Sequence, residues 1–214
     1  MHRLADAVQT TTDRLELLIN NAGIGTGGEQ ATRQTSADGC ELRFAVNYLA
    51  GFLLTQELLP LIKRSAPARI VNVSSLGQQA IDFSDVMLTH GFSGLRAYRQ
   101  SKLAQILFTI DLADELKGTG VTVNTLHPAT FMNTTMVRLS GVTPISTVEE
   151  GADAILKLAV SPQLEGQSGF YFNGQREAGA DAQAYDADAR RQLKALSFEL
   201  TGLAPKRSAT AAGR

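Results

Sequence analysis

The chain has 214 residues, 43% of them hydrophobic and 19% charged, with 19 glycines and 6 prolines, the profile of a single globular domain with a real core. Twenty basic residues stand against twenty-one acidic ones, which leaves no basic field and no support for nucleic acid or an anionic membrane as partner. Cys40, the only cysteine, excludes an internal disulfide and a cysteine-rich zinc site. No secretory h-region opens the chain, and the most apolar stretch, Phe44 to Leu54, is interrupted by Asn47 and Tyr48 and too short to span a bilayer. A cytoplasmic protein without a membrane span is the expectation.

Strand-like and helix-like segments alternate, which predicts an α/β fold with a mainly parallel sheet. "LELLIN" (15–20) reads as a short apolar strand that runs into a glycine-rich loop. From Asp38 to Ile62 the pattern predicts a long helix with Asp38 as N-cap, apolar on most faces of its middle. "RIVNVSS" (69–75) is β-branched and bounded by polar residues, a second strand buried on both sides. Residues 76–97 look irregular and loop-like, long enough to suggest a lid over a site.

From Arg96 to Leu116 a helix follows, with Leu103, Ile106, Leu107 and Ile110 on one stripe and Gly118 or Gly120 to close it. "VTVNTL" (121–126) is a third strand. Thr147 to Ala159 is a helix opened by a capping box of Thr147 and Glu150. "GFYF" (169–172) is a fourth strand, and a last helix starts near Asp186 with Leu193, Leu196 and Leu200 on one stripe, stopped by Gly202 and Pro205. One domain over 1–204 and a disordered tail over 205–214 complete the reading.

Gly23, Gly25 and Gly28 match G-x-G-x-x-G after a strand, the pattern of a first dinucleotide-binding turn. That turn needs a helix opening directly at the loop, so that its amides hold a pyrophosphate. Here the polar run "EQATRQTSADG" follows, so the loop belongs to a later strand. Asn20, Asn21, Ala22 and Gly23 sit at the strand's end, where small residues and side-chain amides permit close approach to a ribose or cap the strand.

Three further features lie at the ends of the other elements. Tyr98 and Lys102 form Y-x-x-x-K on one helix face, Ser75 closes "RIVNVSS", and Asn47 is a polar residue in an apolar helix that needs a partner or a task. Ligands of open α/β sheets bind at the carboxyl ends of strands, where Asn20 and Ser75 are placed. A serine hydrolase is disfavoured, since "GFSG" (91–94) falls short of G-x-S-x-G. Asp181, Asp186 and Asp188 read as a helix-capping turn, His127 as a strand-end residue, and His2 and His90 lack partners at ligand spacing, so no metal is expected.

"NNAG" (20–23), Asn47 in "AVNYLAG", "IVNVSS" (70–75) and "YRQSK" (98–102) together resemble the short-chain dehydrogenase/reductase family, in its order and at compatible spacing, over about residues 4–174. "GTGVTVNTLHP" and the long loop between Ser75 and Tyr98 look most like the retinol-dehydrogenase-type branch. The resemblance implies a partial Rossmann-type doubly wound parallel sheet with helices on both faces, and NAD or NADP as cofactor. It also implies an alcohol or carbonyl as small-molecule substrate.

In its terms Tyr98 is the acid/base, with its pKa lowered by the Lys102 ammonium together with the positive charge of oxidised nicotinamide, and Ser75 stabilises the substrate oxygen. Asn47 holds a water connecting Lys102 to solvent. Lys102, Tyr98, Asn20, Asn21, Ala22, Gly23, Pro128 and Thr134 contact the cofactor. The family's Pro-Gly is Pro128-Ala129 here, and Phe83, Met87, Phe92, Phe131, Met132 and Met136 suggest a lipophilic pocket.

The family's opening strands and glycine turn have no counterpart in these residues. That implies a truncated form, with on the order of 60 to 70 residues lacking, and an exposed "LELLIN" edge. The resemblance also implies homo-oligomers through the Asn47 and Tyr98 helices. The alternative reading is a non-catalytic binding or regulatory protein that docks on a complete homologue through the same helices.

Overall fold

The structure, a computed structural model, describes residues 1–204. The tail expected over 205–214 lies outside the described residues, as does Pro205. Five strands form one sheet in the order β1 (Leu17–Asn20), β2 (Ala68–Val73), β3 (Val121–His127), β4 (Tyr171–Asn173) and β5 (Arg176–Ala178). The first four run parallel, in a register that places Asn20 opposite Asn72 and Val73 opposite Leu126. β5, which the sequence pattern does not announce, returns antiparallel on β4 through a turn at Gly174.

Alternation along the central strands serves two cores. Ile70, Val123 and Tyr171 join one with helices α2 (Ala50–Arg64), α3 (Gly94–Glu115) and α6 (Ala187–Thr201). Val71, Val73, Leu126 and Phe172 join the other, under α5 (Val148–Val160). Helix α1 (His2–Thr11) packs on α2 through the fully buried Ala5. The helices therefore cover both faces, as a doubly wound sheet requires. β1 is the sheet's outer strand among the described residues, and Ile19 on it is 37% exposed.

Several elements start elsewhere than their sequence pattern suggests. The helix expected from Asp38 begins at Leu42, and its N-terminal group is Glu41, not Asp38. The Glu41 carboxylate, 1% exposed, accepts from the Phe44 amide at 2.8 Å and pairs with the buried Arg43. A buried carboxylate needs such partners, and the helix-opening amides supply one. Residues Phe44–Leu49 then form a turn of wide π-helix before α2 continues to Arg64.

By length and composition the run Phe44–Arg64 could cross a bilayer, so its length does not exclude a span as the sequence reading held. Its packing accounts for its apolar character: Phe44, Tyr48, Phe52, Leu58, Leu61 and Ile62 are core residues.

α6 settles what covers the other side of this helix pair. Phe198 packs edge-on to Phe52 at 5.3 Å between centroids, Leu193 is buried, and the Tyr48 and Ser197 hydroxyls bond at 2.7 Å. The chain's own last helix thus covers part of the surface of the Asn47 and Tyr98 helices, the pair through which a homo-oligomer, or docking on a homologue, is expected. α6 begins where predicted: Asp186 accepts from the amides of Asp188 and Ala189, and Gly202 ends it in the left-handed conformation. The capping box of Thr147 and Glu150 opens α5.

Candidate active site

The carboxyl ends of β1, β2 and β3 and the first turns of α3 converge on one region. Ser93 caps α3 by accepting from the Arg96 amide at 3.1 Å, three residues before the expected start at Arg96. Gly94 opens it against the loop after β1, so close that a Cβ there would overlap the Thr26 carbonyl oxygen. Tyr98, Ser101, Lys102, Gln105 and Thr109 then recur at three- and four-residue spacing on one face. That face is polar yet buried, because it looks toward the strand ends.

Lys102 is 5% exposed. Its Nζ donates to the Val73 carbonyl at 2.9 Å and to Gln105 Oε1 at 3.0 Å, and lies 5.8 Å from the Tyr98 ring centroid. Burial brings its ammonium down to about 8. The Tyr98 phenol is raised, by burial first, with a hydrogen bond to Ser75 opposing. The lowering expected of Tyr98 concerns Lys102 acting together with oxidised nicotinamide; in the protein alone burial decides the direction. Desolvation acts on both groups and favours the neutral form of each.

Ser75 lies two residues beyond the end of β2. Its hydroxyl accepts from the Gly77 amide at 3.1 Å, and its carbonyl accepts from Tyr171 Oη at 3.2 Å and Gln78 Nε2 at 3.1 Å. Gln78 Oε1 in turn accepts from the Asp181 amide. The serine is therefore held by the C-terminal part of the chain, which motif spacing could not reveal.

Asn47 lies in the π-turn, a distortion common at functional positions. Its amide forms three bonds: Oδ1 accepts from the Ile24 amide at 2.7 Å, and Nδ2 donates to the Ile24 carbonyl at 3.1 Å and Ser101 Oγ at 3.0 Å. It thereby clamps the post-β1 loop to α3, both of which lie within its direct reach.

Asn20 also turns inward, donating to Thr55 Oγ1 and Asn72 Oδ1, while Asn21 and Ala22 are exposed. Gly23 is where backbone and site meet: a Cβ there would stand 3.2 Å from Asn47 Oδ1 and 3.5 Å from Lys102 Nζ. Pro128 is buried at the end of β3, and Thr134 caps the short helix α4 (Thr135–Leu139) by accepting from the Val137 amide.

His127 is one residue that sequence reasoning set aside. Burial and the nearby Lys102 charge both hold its imidazole below the usual value, and Nε2 meets Thr130 Oγ1 at 3.0 Å. Of the apolar residues expected to line a pocket, Phe83 and Met87 pack against the core, and Phe92 lies under the Arg43 guanidinium. Phe131 and Met136 stay exposed. Among the described residues no group of three His, Cys, Asp or Glu could hold a metal.

Residues 1–142 match the short chain dehydrogenase family model. The chain belongs to the short chain dehydrogenase family. Retinol dehydrogenase 13 of Homo sapiens is 39% identical to this short chain dehydrogenase over 209 residues, covering 89% of the chain and 62% of the relative. Retinol dehydrogenase 14 of Homo sapiens is 40% identical over 205 residues, covering 89% and 60%.

The chain thus spans about three fifths of the length of the curated relatives it matches. Among solved structures, the Pseudomonas aeruginosa RhlG/NADP active-site complex is 28% identical with a TM-score of 0.59, covering 80% of this chain and 69% of that one. A short chain dehydrogenase from Salmonella enterica is 25% identical with a TM-score of 0.63, covering 81% and 68%.

Proposed function

We propose that this short chain dehydrogenase interconverts an alcohol and a carbonyl with NAD or NADP, using Tyr98 as proton donor and acceptor. The observation that carries the reading is the meeting of Tyr98, Ser75 and Lys102 at the carboxyl end of β2: Lys102 Nζ donates to the Val73 carbonyl and lies 5.8 Å from the Tyr98 ring centroid, and a Cβ on Gly77 would stand 3.5 Å from Ser75 Oγ and 3.8 Å from Tyr98 Cε1. The names of the relatives, retinol dehydrogenases, support an alcohol as substrate and an apolar one. The exposed Phe131 and Met136 beside the site are consistent with that class.

The residues fit a nicotinamide nucleotide at Gly23, where the missing side chain keeps an approach open beside Lys102 Nζ. Lys102, Tyr98, Gly23, the exposed Asn21 and Ala22, and the Pro128 to Thr134 segment would hold it. The bound nucleotide supplies or takes up the hydride. Ser75 fixes the substrate oxygen beside the Tyr98 phenol. In reduction Tyr98 gives its proton to that oxygen as charge builds there. Lys102 and Ser75 favour the phenolate that remains. In oxidation the same groups run in reverse.

The test is titration of the chain with NADPH and NADH, followed by nicotinamide fluorescence and thermal stability, together with turnover of an apolar aldehyde. Micromolar binding that is lost in Lys102→Ala is expected. Tyr98→Phe is expected to keep binding and to lose at least ~10²-fold in rate, the scale of general acid catalysis. Undiminished turnover in Tyr98→Phe would refute the assignment.

A further inference from the structure

Resting on that reading of Lys102, we propose that Gln105 is a positioning residue whose carboxamide oxygen holds the Lys102 amine at the carboxyl end of β2. The two share one face of α3, and Gln105 is 4% exposed. An ammonium offers three N–H donors. In Lys102 one goes to the Val73 carbonyl and one to Gln105 Oε1, and among the described residues no other hydrogen-bond acceptor engages it. The remaining donor is left for a ligand on the side of Gly23, whose bare Cα gives the amine room.

Gln105 is itself braced from behind. Its backbone carbonyl accepts from Thr109 Oγ1 at 2.8 Å, and Thr109 Oγ1 accepts from Asn72 Nδ2 at 2.8 Å. Asn72 Oδ1 accepts from Asn20 Nδ2 at 2.8 Å, which also reaches Thr55 on α2. The lysine is thus fastened, through one buried side chain, to a polar network that crosses β2 and ends in the helix after β1.

The choice of a carboxamide matters chemically. No carboxylate pairs with Lys102 among the described residues; the titratable groups facing it are Tyr98 on α3 and His127 at the end of β3. A carboxylate at position 105 would keep the amine charged, whereas a neutral acceptor fixes its place and leaves its proton labile near neutrality.

The Lys102 side-chain nitrogen can be followed by NMR in the full chain labelled with ¹⁵N-lysine, its signal assigned by loss in Lys102→Met. Gln105→Glu should raise the Lys102 midpoint by about one pH unit or more. Gln105→Met should lower it, both chains keeping the wild-type circular dichroism spectrum. In the wild type the Gln105 side-chain amide signal should titrate with the Lys102 midpoint, a readout that needs no variant to fold.

Unchanged midpoints in folded variants, or a Gln105 signal indifferent to the Lys102 titration, would overturn the proposal. A chain that fails to bind NADPH yet shows these shifts would sink the dehydrogenase reading and leave the role of Gln105 standing.

Discussion

Replacing Lys102 by methionine should remove a specific piece of the protein's pH dependence. Folding takes the lysine from 10.5 to about 8, chiefly through desolvation. At ~1.4 kcal/mol per pH unit, keeping the ammonium buried costs roughly 3 kcal/mol well below pH 8. Methionine fills similar volume without the charge. Against that gain, the Val73 carbonyl and Gln105 Oε1 each lose a donor, at about 1–3 kcal/mol for each buried group left unpaired. The two contributions are therefore comparable in size and largely offset each other at neutral pH.

The pH dependence discriminates better. Between pH 8 and 10.5 the unfolded chain still binds the lysine proton while the folded chain has released it. Stability conferred by this group therefore rises with pH across that window. The methionine variant lacks the rise, so the wild type should gain about 2–3 kcal/mol on it from pH 8 to 10.5. Cys40, Tyr48, Tyr98 and Tyr171 are all raised by burial and weaken the fold as alkali increases, but they are common to both chains and cancel in the difference. Urea unfolding of both proteins across the window measures it. A stability difference that stays constant from about pH 8 to 10 would mean that Lys102 carries no desolvation penalty, and the account of the site's electrostatics would fail.

Two further perturbations address how the site is held. Gly94→Ala should lower the thermal midpoint: helix propensity gains up to ~1 kcal/mol, but overlap with the Thr26 carbonyl and approach to Ala31 Cβ at 2.9 Å cost about 1–3 kcal/mol or more. An unchanged or higher midpoint would show that the post-β1 loop does not press on α3. Phe198→Ala should cost about 3 kcal/mol in denaturant unfolding and promote self-association in size-exclusion chromatography, since it uncovers Phe52 and Tyr48. A loss under ~1 kcal/mol would mean that α6 rests on this face without sealing it.

The parallel strands were legible because each is a short apolar or β-branched run between polar punctuation, and the register of the central ones follows once both faces are buried. Tyr98, Ser75, Asn47 and Lys102 were legible through their spacing, which matches a family pattern. Their partners were not, since a contact between Ser75 and Tyr171 or between Asn47 and Ile24 depends on tertiary placement.

Asp38 illustrates a local rule losing to a distant one. It has good cap chemistry, but Glu41 can satisfy the helix amides and the Arg43 guanidinium together, and Arg43 also grips the carbonyls of Gly25 and Thr26. β5 escaped notice because a three-residue edge strand has too few residues to show alternation. α6 showed its apolar stripe in the sequence, but not the surface that the stripe would cover.

α3 explains why a charged amine can be kept in place inside so small a domain. Most helices bury one stripe and expose the other. α3 buries both, with Leu103, Ile106, Leu107 and Phe108 against the sheet and neighbouring helices, and Ser101, Lys102, Gln105 and Thr109 among the strand ends. The apolar side, closed by α2, α6 and their interlocked aromatic rings, supplies the stabilisation that the polar side withdraws. Because the helix cannot roll toward solvent to hydrate Lys102, the amine has to be satisfied internally. The network from Gln105 to Thr55 is what lets a buried lysine stay both positioned and titratable.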